Sequence, residues 1–145
     1  MRRQAVRRYM TGSPVVIAPG ASLAEAHDVM RARRIRHLPV VREGALVGVV
    51  SQRDVYLVET LRGVDPAVAC VEEAMSPDPY AVSPEAPLHE VALEMARRRI
   101  GSAVVVSRGA VIGLFTTVDA LGALGALARG DSGTGGRRGA GDEAI

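Results

Sequence analysis

Two short stretches place a hydroxyl and a carboxylate three residues apart where an apolar run ends. They are Gly48-Val-Val-Ser51-Gln-Arg-Asp54 and Gly113-Leu-Phe-Thr116-Thr-Val-Asp119. Two chemistries fit such a pair. At a helix start the hydroxyl accepts from a free backbone N–H, and the carboxylate lies in the first turn, where the helix dipole favours negative charge. The same helix start can instead offer its N–H groups and hydroxyl to a phosphate, while the carboxylate accepts from two ribose hydroxyls. Short matches of this form are common, so residue type and spacing alone favour the cap. Neither pair has a histidine near it in sequence. The chain shows no nucleophile with a base, no metal set and no poised acid–base pair, so it is expected not to be an enzyme and to need no cofactor.

The elements that position these pairs are duplicated. An offset of 65 residues aligns Met10 with Met75, Pro14 with Pro79, Pro19 with Pro84, Leu23 with Leu88, Met30 with Met95 and Ile35 with Ile100, without a gap. Gly44, Gly48 and Asp54 fall on Gly109, Gly113 and Asp119. Two copies point to a paired domain, because a solenoid needs at least three. In each copy a short proline-bracketed apolar piece, Pro14 to Pro19 in the first, reads as a brief edge strand. Ser22-x-x-Glu25 then reads as a capping box, with Leu23, Ala26, His27 and Met30 spaced for one buried face. Pro87 takes the helix start in the second copy. Leu38 to Val41 and Leu46 to Val50 read as strands of a hairpin turning at Arg42-Glu43-Gly44-Ala45, repeated around Arg108-Gly109. Closing helices are predicted over Gln52 to Leu61 and Thr117 to Leu127.

Each half is therefore β-α-β-β-α, an α/β (α+β) fold whose apolar sheet faces are expected to pack together with pseudo-twofold symmetry. The predicted division is repeat 1 over 7–62, a connector over 63–73, repeat 2 over 74–128, and a Gly-rich tail over 129–145 expected to be disordered.

Composition narrows the class. Only Tyr9, Tyr56, Tyr80 and Phe115 are aromatic, so the core must be aliphatic. One cysteine, Cys70, excludes an internal disulfide and a cysteine-clustered zinc site. The 18 basic residues are all arginine, which reads as the codon bias of a GC-rich bacterial genome. They are offset by 16 acidic residues, too mild a balance to argue for nucleic acid. No apolar run is long enough to span a bilayer and the start lacks a secretory stretch, so a cytoplasmic protein is expected.

With the offset repeat, the element order and the paired G-x-x-[ST]-x-x-D endings, the chain resembles a tandem pair of CBS domains, the Bateman module, from about Arg7 to Leu127. MTGSPVVIAPGASLAEAHDVM, RIRHLPVVREGALVGVVSQRD, MSPDPYAVSPEAPLHEVALEM and RRIGSAVVVSRGAVIGLFTTVD carry the likeness. The resemblance implies a regulatory module that binds AMP, ADP, ATP or S-adenosylmethionine in clefts between the repeats. It also implies dimerisation through helices, with Leu121, Leu124 and Leu127 supplying apolar area. The target is expected on a separate polypeptide, since no catalytic domain accompanies the pair, unless the protein acts simply by sequestering its ligand.

By the same resemblance, Ser51, Asp54, Thr116 and Asp119 line the ligand sites. Arg53 can reach a phosphate as a charge-assisted donor, where its counterpart Val118 cannot. Arg36 and His37, before Pro39, are further phosphate candidates, against only Gly101 and Ser102 in the second copy. Val16, Ile17, Ala81 and Val82 resemble adenine-contacting segments, although core packing also explains them and is the preferred reading for Ile17 and Val82. The Asp54 site is thus expected to prefer a charged phosphate tail, and the Asp119 site to be weaker, adenosine-like or empty.

Two other readings compete: a ligand-free structural or protein-interaction module, and a DNA-associated regulator using the arginines around 31–34 and 97–99. Those arginines are more simply the solvated C-terminal ends of helices. Met10, Met30, Met75 and Met95 read as core filler. His27 and His89 lack metal-ligand partners at suitable spacing.

Overall fold

The computed structural model describes residues 4–130. After a 3-10 turn at Val6–Arg8, its elements in chain order are β1 (Thr11–Gly12), α1 (Leu23–Arg33), β2 (His37–Arg42), β3 (Ala45–Ser51), α2 (Gln52–Glu59), α3 (Val71–Ala74), β4 (Ala81–Val82), α4 (Leu88–Arg98), β5 (Ser102–Ser107), β6 (Ala110–Thr116) and α5 (Thr117–Ala128). The fold is mixed α+β, with the β-α-β-β-α order in both copies. In the first copy the edge strand shrinks to one bridging residue, Ile17, parallel to Val40. The tail expected to be disordered lies, from residue 131 on, outside the described residues.

The duplication extends to the backbone. α1 and α4 each run 11 residues and end on an arginine in the left-handed region, Arg34 at φ 56° and Arg99 at φ 57°. There Ile35 N–H donates to the Met30 carbonyl and Ile100 N–H to that of Met95, closing Schellman-type ends usually built on glycine. Each hairpin turns through two residues of positive φ, Glu43 and Gly44, then Arg108 and Gly109. Such turns match the twist of the flanking strands. Both hairpins slip register at the same place, Val40/Val41 and Val105/Val106.

The chain divides into two compact units that do not follow the sequence repeats. Among the described residues, one unit takes residues 14–79 and the other takes residues 4–13 together with residues 80–130. In the second unit the sheet order is β4-β5-β6-β1, with β4 parallel to β5 and the other pairs antiparallel. In the first unit β2 pairs β3, Ile17 flanks β2, and Ser76 flanks β3 opposite Val49. Each hairpin is therefore edged by a segment from the start of the other sequence repeat.

The stretch 63–73, read as a connector, is partly built into the fold. Ala69 accepts from Leu23 N–H, Ser22 bridges Cys70, and Val71 is fully buried in the first core. Residues 4–6 do the same for α4, where Gln4 accepts from Leu88 N–H, Ala5 bridges Pro87 and Val6 is fully buried.

The cores are mainly aliphatic. Ile17, Leu23, Ala26, Met30, Leu38, Val40, Val50, Val55 and Val71 fill one; Val6, Leu88, Val91, Met95, Ala103, Val105 and Ala123 with the rings of Tyr9 and Phe115 fill the other. Met30 and Met95 are core, as their helical spacing predicts, whereas Met10 and Met75 lie half-buried over Gly113 and Gly48.

Local detail departs from expectation in three places. The Ser22 hydroxyl accepts from Glu25 N–H at 3.1 Å, but the reciprocal bond of a capping box is absent. Exposed Glu25 stays in water instead. His27 does not join the buried face of α1; its Nδ1 lies 3.3 Å from Glu59 Oε1 and its ring meets Tyr56 edge-on. The first closing helix ends at Glu59, two residues early, while the second runs one residue further, to Ala128.

Candidate functional site

Ser51 ends β3 and caps α2. Asp54 N–H donates to Ser51 Oγ at 3.0 Å, and Ser51 N–H donates to Asp54 Oδ2 at 2.9 Å. The box is thus closed, yet Asp54 remains half-buried and its Oδ1 takes no bond among the described residues.

Hairpin pairing sets His37 opposite Ser51, and Gln52 N–H donates to the Arg36 carbonyl at 2.8 Å, so Arg36 and His37 arrive beside the start of α2. Burial lowers the pKa of His37. The Asp54 carboxylate opposes that shift in part, and the Arg36 guanidinium adds to it. Arg36 and Arg53 are exposed and form no ion pair among the described residues. Ile17 donates to the Pro39 carbonyl and accepts from Val41 N–H, which holds Val16 and Ile17 against β2. Val16 is 45% exposed, whereas Ile17 is buried at 6% and belongs to the core; Pro39 is buried too. All eight predicted residues of this set, Val16, Ile17, Arg36, His37, Pro39, Ser51, Arg53 and Asp54, fall within the unit of residues 14–79.

The second set gathers in the other unit with different chemistry. Ser102 pairs with Thr116 across β5 and β6, and Thr117 N–H donates to the Gly101 carbonyl. Ala81 and Val82 run parallel to Val104 and Val105; Ala81 is exposed and Val82 half-buried. Thr116 N–H donates to Asp119 Oδ2 at 2.9 Å and its hydroxyl donates to the same oxygen at 3.2 Å. Asp119 itself is only 2% exposed, and its Oδ1 accepts from the Thr11 hydroxyl at 3.4 Å. No basic side chain replaces Arg53, since Val118 stands there.

Thr11 was not legible as part of a site. The one signal that could have found it is that its repeat partner, Ser76, also carries a hydroxyl.

The family model for the CBS domain matches residues 6–58 and again 71–126. This chain belongs to the CBS-domain family. Its two matched segments are one CBS repeat each, so the protein carries a CBS pair.

Among curated relatives, inosine-5'-monophosphate dehydrogenase of Korarchaeum cryptofilum is 36% identical over 120 residues, which is 80% of this chain and 24% of that enzyme. The CBS pair thus spans about a quarter of the dehydrogenase's length. Among solved structures, the Vibrio cholerae protein assigned to acetoin utilization, AcuB, superposes with a TM-score of 0.78 at 29% identity, covering 88% of this chain and 95% of that one. The CBS domain of a bacterial CNNM/CorC-family magnesium transporter, solved in complex with ATP, superposes with a TM-score of 0.70 at 29% identity, covering 81% and 84%.

The arginine clusters take up the positions that helix ends predict. Arg31 and Arg33 lie in the last turn of α1, Arg97 and Arg98 in that of α4. Arg31 pairs with Asp28, while Arg97 and Arg98 both pair with Glu94 and hold its carboxyl down to about 2. Arg98 also stacks 4.5 Å above the Tyr80 ring. Among the described residues, no helix is long and apolar enough to cross a membrane.

Proposed function

We propose that this CBS pair is a regulatory module, not an enzyme, that takes an adenosine-containing nucleotide at the start of α2. The ribose diol bonds the free edge of Asp54, the phosphates meet Ser51, Arg53 and the Arg36-His37 corner, and adenine lies along the exposed Val16, with Ile17 anchoring that segment in the core. The observation that carries this reading is the state of Asp54: its cap uses Oδ2, while among the described residues Oδ1 takes no hydrogen bond and the exposed Arg36 and Arg53 form no ion pair. A helix start with uncommitted cations favours a polyanion. ATP in the related transporter's CBS domain supports the same ligand class. AMP, ADP and S-adenosylmethionine are the other candidates.

In this reading the ligand acts by favouring one arrangement of a cytoplasmic homodimer over another, and a separate target protein detects the change. The apolar stripe of Val118, Leu121, Leu124 and Leu127 on α5, exposed by 42–67%, provides dimer area.

A thermal-shift panel with AMP, ADP, ATP and S-adenosylmethionine tests the proposal. A ligand at a hundred times its Kd should stabilise the fold by about 2.7 kcal/mol. The rise should vanish in Asp54→Ala. If no ligand shifts the wild-type midpoint, Ser51 and Asp54 serve as a cap only, and the module works through protein contacts.

A further inference from the structure

The duplication supplies an internal control for the Asp119 site. Thr11 lies opposite Leu114 in β6, and Ser76 lies opposite Val49 in β3; both members of each pair are related by the 65-residue offset. The two hydroxyls therefore occupy equivalent places in their sheets, but they behave differently. Thr11 is 8% exposed and donates to Asp119, whereas Ser76 is exposed and makes no bond to Asp54.

We infer that Thr11 determines how many ligands the module loads: it keeps the Asp119 site closed, so that each chain takes one nucleotide, at Asp54. The inference rests on reading the capping carboxylate as a ribose acceptor. A ribose diol needs at least one carboxylate oxygen that is uncovered and uncommitted, and the lone pairs of one such oxygen can take both hydroxyls. Asp54 keeps Oδ1 for it, whereas Asp119 is 2% exposed, with Oδ2 taking two bonds from Thr116 and Oδ1 covered by the Thr11 hydroxyl.

Thr11 has little freedom to withdraw. Its strand is fixed by pairing with β6 and by the Ser13 N–H bond to the Ile112 carbonyl at 3.2 Å, and a β-branched side chain has few χ1 states. Nor do these positions carry a basic phosphate donor to offset the cost of opening the second site, since Val118 and Gly101-Ser102 replace Arg53 and Arg36-His37. At 3.4 Å the Thr11 bond is long and weak. Thr11 blocks by occupying Oδ1 and covering it, not by the strength of its bond, and one substitution should release it.

The test is the binding stoichiometry of ATP and of adenosine on the full-length chain, by titration calorimetry. Wild type, Thr11→Val, Thr11→Ala, Thr11→Ser, Asp54→Ala and the double variant Thr11→Val/Asp119→Ala are compared, each checked for a cooperative thermal transition. Wild type should bind one equivalent, lost in Asp54→Ala. Thr11→Val and Thr11→Ala should each gain a second equivalent, which Asp119→Ala removes. Thr11→Ser, which keeps the hydroxyl, should restore the lower count. A purely structural Thr11 would change the melting point and leave the count alone.

Folded Thr11→Val and Thr11→Ala proteins with the wild-type count overturn the inference, as does a wild type that already holds an Asp119-dependent equivalent. If wild type binds nothing but Thr11→Val gains an Asp119-dependent equivalent, Thr11 is a closing residue and the Asp54 reading alone fails.

Discussion

Gly48 on β3 lies directly under Met75, and a Cβ there would come within 2.8 Å of the Ser76 carbonyl oxygen. That carbonyl is not free to move, because it accepts from Val49 N–H at 3.1 Å and anchors the segment edging the first hairpin. At the equivalent Gly113 a Cβ would meet side-chain atoms of Met10 only, which can swing aside. Gly48→Ala should therefore cost about 1–3 kcal/mol, as overpacking does, and Gly113→Ala clearly less. Urea melts of the two variants side by side check the order. Equal losses would show that Met75, not the Ser76 backbone, sets the limit at Gly48.

Arg53 differs from the other site residues in acting on phosphate alone. It is exposed and outside every ion pair among the described residues, so Arg53→Ala removes no structural contact. A charge-assisted hydrogen bond contributes roughly 1.5–3 kcal/mol, and exposure puts this one at the low end, so ATP affinity should fall on the order of tenfold. Adenosine affinity should stay within about twofold. Calorimetric titration with both ligands reads the ratio; an equal loss for both would place Arg53 away from the phosphates.

The architecture was legible because the sequence states it twice. Strands, helices and both turns follow from apolar spacing and from Gly44 and Gly109, and a gapless offset fixes which residues correspond. The pairing of Met10–Ser13 with the second hairpin was not legible, because a two-residue strand such as β1 has no periodicity to read. The left-handed ends at Arg34 and Arg99 were hidden for a related reason: arginine gives no sign of positive φ, and what accompanies the conformation is the packing of partly buried Ile35 and Ile100 against the cores just after it. In the site, Ser51, Asp54, Thr116 and Asp119 follow from helix-start chemistry. The difference between the two carboxylates depends on Thr11, 108 residues from Asp119 in the chain, which local spacing does not reach.

His37 makes stability depend on pH. Burial lowers its pKa below the ordinary 6.5, with Asp54 opposing and Arg36 reinforcing the shift, so folded protein holds the neutral ring where the unfolded chain takes up a proton. The contribution is fully present above about pH 6.5 and is lost as pH falls from there toward the folded-state value. Wild type should lose unfolding free energy between about pH 7 and 5.5, and His37→Gln should lose less over the same range. His27 and His89 remain in both proteins and cancel in the comparison. Parallel slopes from urea melts would show that His37 titrates normally.

The helix α5 bears Val118, Leu121, Leu124 and Leu127 at intervals of three, with Leu121 and Leu124 67% and 64% exposed. In a monomer this stripe would lie in water, at a cost of about 25 cal/mol for each Å² of apolar surface. The dimer reading therefore predicts that wild type sediments as a dimer at micromolar concentration. Leu121→Glu with Leu124→Glu should give monomer, since two carboxylates from each chain would have to be desolvated in the joint. The helix should survive, because both positions face outward and glutamate is a good helix former. Sedimentation velocity on both proteins, with circular dichroism to confirm the fold, decides the matter. A wild-type monomer removes the dimer reading, and a double variant that stays dimeric moves the joint off α5, with exposed Tyr56, Leu57 and Leu61 on and just beyond α2 the next surface to substitute.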